Sequence, residues 1–188
     1  MEMRRVLYLA STSPRRQELL RDAGIEFVLH PPGPEPEGAG SPRDKAVFRA
    51  RGKASTATTP ENPGAILGVD TLVELDGEEM GKPTSRMAAA DMLRRLMGRQ
   101  HLVFTAHCLV DSHSGGSVEE CAQAQVRCRP LEDVELQSYL DSHEWRDKAG
   151  GYGIQGVASG FMTLEGGELD TVIGLNLATL GRLLGRLS

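Results

Sequence analysis

The chain has 188 residues, of which 39% are apolar, 25% charged and 4% aromatic, with 22 glycines, 10 prolines and a formal net charge of −5. That length suits one domain, or two lobes sharing a sheet, with a sizeable core. The longest apolar runs, residues 6–10, 65–69 and 102–104, fall far short of the roughly 20 residues a bilayer-spanning helix needs, and the N-terminal run is too short for a secretory signal. A soluble, cytoplasmic protein without membrane partners is expected. The three cysteines, Cys108, Cys121 and Cys128, are odd in number and fit no zinc spacing, and the five histidines form no ligand pair. Residues 1–55 carry ten Lys/Arg against seven Asp/Glu, leaving eleven against nineteen for the rest. An acidic protein makes a poor general binder of nucleic acid, but a cationic patch in the first third suits a small anion.

In chain order, residues 5–10 read as a strand. Ser13 then stands as N-cap and Pro14 as first residue of a helix over 14–23, stopped by Gly24. Residues 25–29 restart a strand, and 30–40, rich in proline and glycine, are irregular. Ser41-Pro42 opens a second helix with Val47, Ala50 and Ala54 inward. Residues 65–75 form the strongest strand, and Asp76-Gly77 is a hairpin turn whose register sets Thr71 opposite Lys82. Ser85 caps a helix over 86–97. Residues 101–110 and 118–129 make a long hairpin, the second arm alternating Ala122, Ala124, Val126 and Cys128 with polar residues. Residues 131–140 read as helix, 160–164 with 169–173 as another hairpin, and 175–187 as a closing helix. The alternation implies an α/β fold with a mixed sheet and no separable linker, one domain over residues 1–188.

Three segments carry possible chemistry. Residues 9–20 place a serine-rich turn before a helix whose first turn holds Arg15 and Arg16. Two cations there oppose the helix dipole, which an anion at the N-terminus would offset; the plain alternative is a solvated surface helix. Asp70 interrupts an apolar strand, where a carboxylate is costly unless paired or used, as base or metal ligand. Residues 151–156 spell G-x-G-x-x-G, yet no strand precedes and no helix follows, so the dinucleotide-binding reading, and with it an oxidoreductase, fails in context. Those glycines instead suit a loop approaching a ligand, with Lys148 and Gln155 at its ends. Lys53 could simply complement its helix end, Glu35 and Glu37 are loop acids able to ligate a metal, and Trp145 and Tyr152 could stack on a base or pack.

Together these segments resemble the Maf family of nucleotide pyrophosphatases. Residues 11–20 match its Ser-x-Ser-Pro-Arg-Arg-x-Glu-Leu-Leu signature, Gly68-Val69-Asp70-Thr71 with Gly81-Lys82-Pro83 its central stretch, and residues 147–156 its Asp-Lys-Ala-Gly-x-Tyr-Gly-Ile-Gln-Gly loop. The resemblance spans about residues 6–187. It implies an elongated mixed sheet flanked by helices, with two lobes and a central cleft. It implies hydrolysis of nucleoside triphosphates to monophosphate and pyrophosphate with a divalent metal, magnesium or manganese. Arg15, Thr71 and Gln155 match the branch acting on dTTP and UTP, with modified pyrimidine nucleotides as further substrates. The 7-methyl-GTP branch would carry Gln for Thr71 and Glu for Gln155. By the same resemblance Asp70 is the general base or water-positioning acid and a metal ligand. Ser11, Arg15, Arg16, Lys53, Thr71, Lys82, Lys148 and Gln155 would bind substrate, with Glu35 as candidate second metal carboxylate. The expected partners are the nucleotide and a second copy in a homodimer. Departures from the family pattern fall at Glu35-Pro36-Glu37, at Val69 and at Asn176. The competing reading is a non-catalytic nucleotide-binding regulator linked to cell division.

Overall fold

The computed structural model describes residues 6–187, so Arg5, the expected start of the first strand, lies outside the described residues. The strands are β1 (Val6–Ala10), β2 (Val28–His30), β3 (Gly64–Leu75), β4 (Glu78–Met80), β5 (Gln100–Asp111), β6 (Ser117–Cys128) and β7 (Met162–Gly166). The helices are α1 (Pro14–Asp22), α2 (Pro42–Ser55), α3 (Arg86–Leu96), α4 (Asp133–Asp141), α5 (Leu169–Ile173) and α6 (Leu177–Arg186). One mixed sheet runs in the order β2–β1–β3–β5–β6–β7, with β4 paired to β3. β1 is parallel to both β2 and β3, whereas β3, β5, β6 and β7 are successively antiparallel. The hydrophobic core falls into three clusters. One gathers α3, α4, β7 and the distal halves of the long strands; the other two lie beneath α2 and beneath α1 and α6.

Local chemistry explains most boundaries. Ser41 and Asp44 form a reciprocal capping box at α2, and Ser85 accepts from the Ala88 N–H at α3. Ser13 occupies the cap position of α1, but its side chain makes no capping bond. Beyond Pro42 in its first turn, α2 buries only alanines, Ala46, Ala50 and Ala54, with Val47 half-buried beside them. This smallness has a purpose at Gly68, where a Cβ would stand 2.2 Å from the Ala50 carbonyl oxygen and 2.7 Å from the Ala54 nitrogen. Helix and strand backbones therefore touch.

Two expectations need correction. Residues 169–173 form helix α5 and not a hairpin arm; β7 pairs with β6. Gly167 carries the turn at a φ of 77°, and its missing Cβ clears the Gln123 carbonyl oxygen. The Asp76-Gly77 hairpin has the expected register, with Val73 opposite Met80, but ends there, so Thr71 pairs with Thr105 of β5 and not with Lys82.

Candidate active site

β5 covers one edge of β3 from Ala65 to Glu74. On the other edge β1 pairs over Gly64 to Gly68 and β4 over Val73 to Leu75, leaving residues 69–72 between them. Asp70 and Thr71 stand in this gap. Adjacent strand residues project to opposite faces, yet at an open edge both reach the same space. The result is a cleft of about 770 Å³ beyond the C-terminal end of β1, where open α/β sheets commonly take ligands. The turn 11–13, the start of α1, Glu35, Lys53, Lys82 and residues 146–149 complete its walls.

The close approach of α2 to β3 carries Lys53 to Asp70. Its ammonium lies 2.5 Å from Asp70 Oδ1 and 2.9 Å from Glu35 Oε2. Arg49 stands 3.7 Å from the other Glu35 oxygen and 2.8 Å from Glu79, tying the proline-rich segment to α2 and β4. Burial alone would raise the Glu35 pKa; the hydrogen bond and charge of Lys53, with Arg49 and Lys82, outweigh it and hold the carboxyl below its ordinary value. Asp70 Oδ2 is buried and has no hydrogen-bond partner. A buried carboxylate oxygen left bare calls for a water or a cation.

Cations dominate the remaining wall. Arg15, Arg16, Lys53, Lys82, Arg146 and Lys148 line the cleft against the acids Glu35, Asp70 and Asp147. Among the described residues Arg15 and Lys82 have no hydrogen-bond or ion-pair partner. Burial lowers the pKa of Arg15 against the opposing charges of Asp147 and Glu18, and burial with nearby Arg15 lowers that of Lys148. The start of α1 adds uncapped N–H groups facing the same space. Crowded, partly desolvated cations with donors to spare make an anion site.

Arg16 is differently employed. Its guanidinium donates to the Gly174 carbonyl at 2.8 Å, to Ser11 Oγ at 2.9 Å and to Thr71 Oγ1 at 3.3 Å, joining the β1 turn, β3 and the α5–α6 link. Burial lowers its pKa to about 10, with Asp70 opposing the shift. Ser11, Arg15, Arg16, Lys53, Asp70, Thr71, Lys82, Lys148 and Glu35 thus line one cleft. Gln155 is exposed and does not line it. Glu37 lies along a separate groove on the outer side of α2, Trp145 is a buried core residue, and Tyr152 is buried in the core but also lines the cleft. Lys148 donates to the Glu144 carbonyl. Val69 and Asn176 also stay out of the cleft: Val69 is core, and Asn176 caps α6 by accepting from the Thr179 N–H.

Sequence reasoning missed Arg146 and Asp147. Asp147 adopts a left-handed φ of 58°, unusual outside glycine, and Arg146 rests on the Trp145 ring at 5.5 Å. Only their place beside Lys148, Asp147 opening the matched loop and Arg146 just before it, could have flagged them.

A model of the Maf-like protein family matches residues 6–187. The chain belongs to the Maf-like family. Similar curated relatives include the dTTP/UTP pyrophosphatase of Pyrococcus abyssi, 37% identical over 180 residues and 95% of each chain. That of Symbiobacterium thermophilum is 43% identical over 174 residues, 91% of this chain and 88% of its own. That of Bordetella parapertussis is 42% identical over 192 residues, 95% and 90% respectively. No helix of this Maf-like chain is long and apolar enough to cross a membrane, among the described residues.

Proposed function

We propose that this Maf-like chain hydrolyses dTTP and UTP to the nucleoside monophosphate and pyrophosphate, in a divalent-metal-dependent reaction. The observation that carries the reading is Asp70: one oxygen is pinned by Lys53, the other is buried and bare, and both sit below a rim of cations. A nucleoside triphosphate brings about four negative charges, which the excess of basic side chains in the cleft and a metal would offset.

The donor set fits a hard divalent ion. Among the described residues no three His, Cys, Asp or Glu converge on a common point. Mg²⁺ needs no such cage: it commonly takes one or two carboxylates and completes its shell with water and phosphate oxygens. Glu35 and Asp70 are the adjacent carboxylates, their Oε2 and Oδ1 atoms both on Lys53; with Glu35 holding the ion, Asp70 Oδ2 would stay free for the water. Bound there, the ion would neutralise phosphate charge and polarise the phosphorus.

The chain's own groups account for the remaining steps. Arg15, Lys82 and Lys148 draw in the phosphates, and the open start of α1 supplies backbone donors. Lys53 holds the Asp70 carboxylate in one orientation. Asp70 Oδ2 accepts a proton from water as its oxygen bonds to the α-phosphorus. The bond from that phosphorus to the bridging oxygen breaks, and pyrophosphate leaves with its charge balanced by the lysines and arginines. A cytoplasmic location accords with three cysteines that form no disulfide.

Incubating the protein with a panel of ribo- and deoxynucleoside triphosphates and Mg²⁺ or Mn²⁺ tests the reading. Pyrophosphate released fastest from dTTP and UTP is expected. Orthophosphate as the product, or saturable binding without turnover, contradicts it; the second result would favour the non-catalytic regulator.

A further inference from the structure

Behind the cleft wall, Thr71 of β3 and Thr105 of β5 are cross-strand partners with hydroxyl oxygens 3.0 Å apart. In isolation either hydroxyl could donate to the other. Their neighbours remove the choice. Thr105 is fully buried and lies 2.7 Å from the Thr171 backbone carbonyl. A carbonyl only accepts, so the single Thr105 proton is spent there, and Thr71 must donate to Thr105. On the opposite side Thr71 Oγ1 lies 3.3 Å from Arg16 Nη2, and a guanidinium only donates. Both contacts assign the same direction. Thr71 has its proton turned inward and one lone pair on Arg16, so what it offers the cleft is a remaining lone pair and no proton.

The carbonyl that enforces this direction is itself held. Thr171 is buried, and its side-chain oxygen accepts from Asn176 Nδ2 at 2.9 Å. Asn176 Nδ2 also donates to Asp170 at 2.9 Å, and the Asn176 N–H donates to buried His107 Nε2 at 2.9 Å. Helix α5 is thereby locked against β5.

We propose that Thr105 is a positioning residue that fixes Thr71 as a hydrogen-bond acceptor in the cleft wall, where it meets the imide N3–H of uracil or thymine. The proposal rests on the pyrimidine-triphosphate reading above. A phosphoryl oxygen is itself an acceptor and gains nothing from a bare lone pair, so the phosphates belong to the cations. Among the donors of dTTP and UTP, the N3–H and the 3′-hydroxyl are common to both, whereas the 2′-hydroxyl is present only in UTP; of the common pair only the N3–H is missing from cytosine nucleotides, so it alone can carry a preference for uracil and thymine. Cytosine presents a lone pair at N3, and two acceptors face to face lower affinity on the order of tenfold to a hundredfold.

Calorimetric binding of the non-hydrolysable α,β-methylene analogues of UTP, CTP and 3-methyl-UTP tests the assignment whether or not the chain turns substrate over. The native protein should bind the uridine analogue about tenfold or more tightly than either of the others. Thr105→Val keeps the side-chain shape and frees the Thr71 proton. The uridine-to-cytidine ratio should then collapse to within about threefold, largely because the cytidine analogue gains, while Thr105→Ser keeps the native ratio. An unchanged ratio in a folded Thr105→Val protein overturns the proposal. So does a native protein indifferent to the 3-methyl group, a comparison that needs no variant and decides the matter if Thr105→Val fails to fold. Pyrophosphate release measured on the same preparations is independent: selective binding without hydrolysis overturns the pyrophosphatase reading and leaves this one standing.

Discussion

At the scale of single residues the site turns on how one buried carboxylate is held. Removing either partner of a buried ion pair strands a charge, a loss of about 3–5 kcal/mol when nothing replaces it. Lys53 has a second carboxylate in Glu35 at 2.9 Å, so Asp70→Asn leaves the lysine paired. The variant should melt within a few degrees of the native protein and lose on the order of 10²–10⁴ in turnover, the usual share of a general base. Steady-state rates beside a thermal melt check both halves; an active Asn variant removes Asp70 from the chemistry. The importance of Asp70 was legible in sequence because a carboxylate amid Gly68, Val69 and Leu72 contradicts its surroundings. The Lys53 contact was not: Lys53 lies 17 positions away, and only the helix-to-strand distance decides whether it reaches. The double role of Arg16 was equally hidden, since its partner Gly174 is 158 positions distant.

Among the elements, the pair α2 and β3 sets that distance. Because Ala50, Ala54 and Gly68 bring two backbones into contact, Gly68→Ala cannot be absorbed by a flexible side chain. Overpacking of this kind costs about 1–3 kcal/mol. It also pushes α2 away and draws Lys53 off Asp70, so activity should fall more than stability alone explains. Urea denaturation together with assays well below the midpoint separates the two effects; full activity in the folded variant would deny the coupling. Strands and helices with strong periodicity, such as β3, β6 and α3, were readable from sequence. α5 was not, because five residues, Leu169 to Ile173, carry too little periodicity to tell a helical turn from a hairpin arm. The Gln155 expectation failed to reach the cleft for a related reason: motif adjacency does not fix side-chain direction in a loop with two left-handed glycines, Gly150 and Gly151.

For the whole molecule, two buried histidines tie stability to pH. His101, hydrogen-bonded to Tyr152 at 2.7 Å, and His107, accepting from Asn176, are desolvated, which pushes both pKa values down to about 4; Arg16 adds to the shift at His107. Such groups are neutral in folded and unfolded chains above about pH 6.5 and cost nothing there. As pH falls below that value the unfolded chain takes up protons first, so stability is lost progressively down to pH 4, by up to ~3 kcal/mol per histidine. The acids whose pKa values are held down, Glu35 and Glu79 among them, add their own losses only at lower pH. Melting temperature should therefore drop between pH 7 and 4.5, and His107→Gln should flatten roughly half of that drop; an identical drop in the variant would place its origin elsewhere. The sheet gap between β1 and β4, the cationic rim and bare Asp70 Oδ2 together claim one event, attack of water at the α-phosphorus. Hydrolysis of UTP in ¹⁸O-water reads that event directly. The label should enter the nucleoside monophosphate and leave pyrophosphate unlabelled, and label recovered in pyrophosphate or orthophosphate would contradict the account.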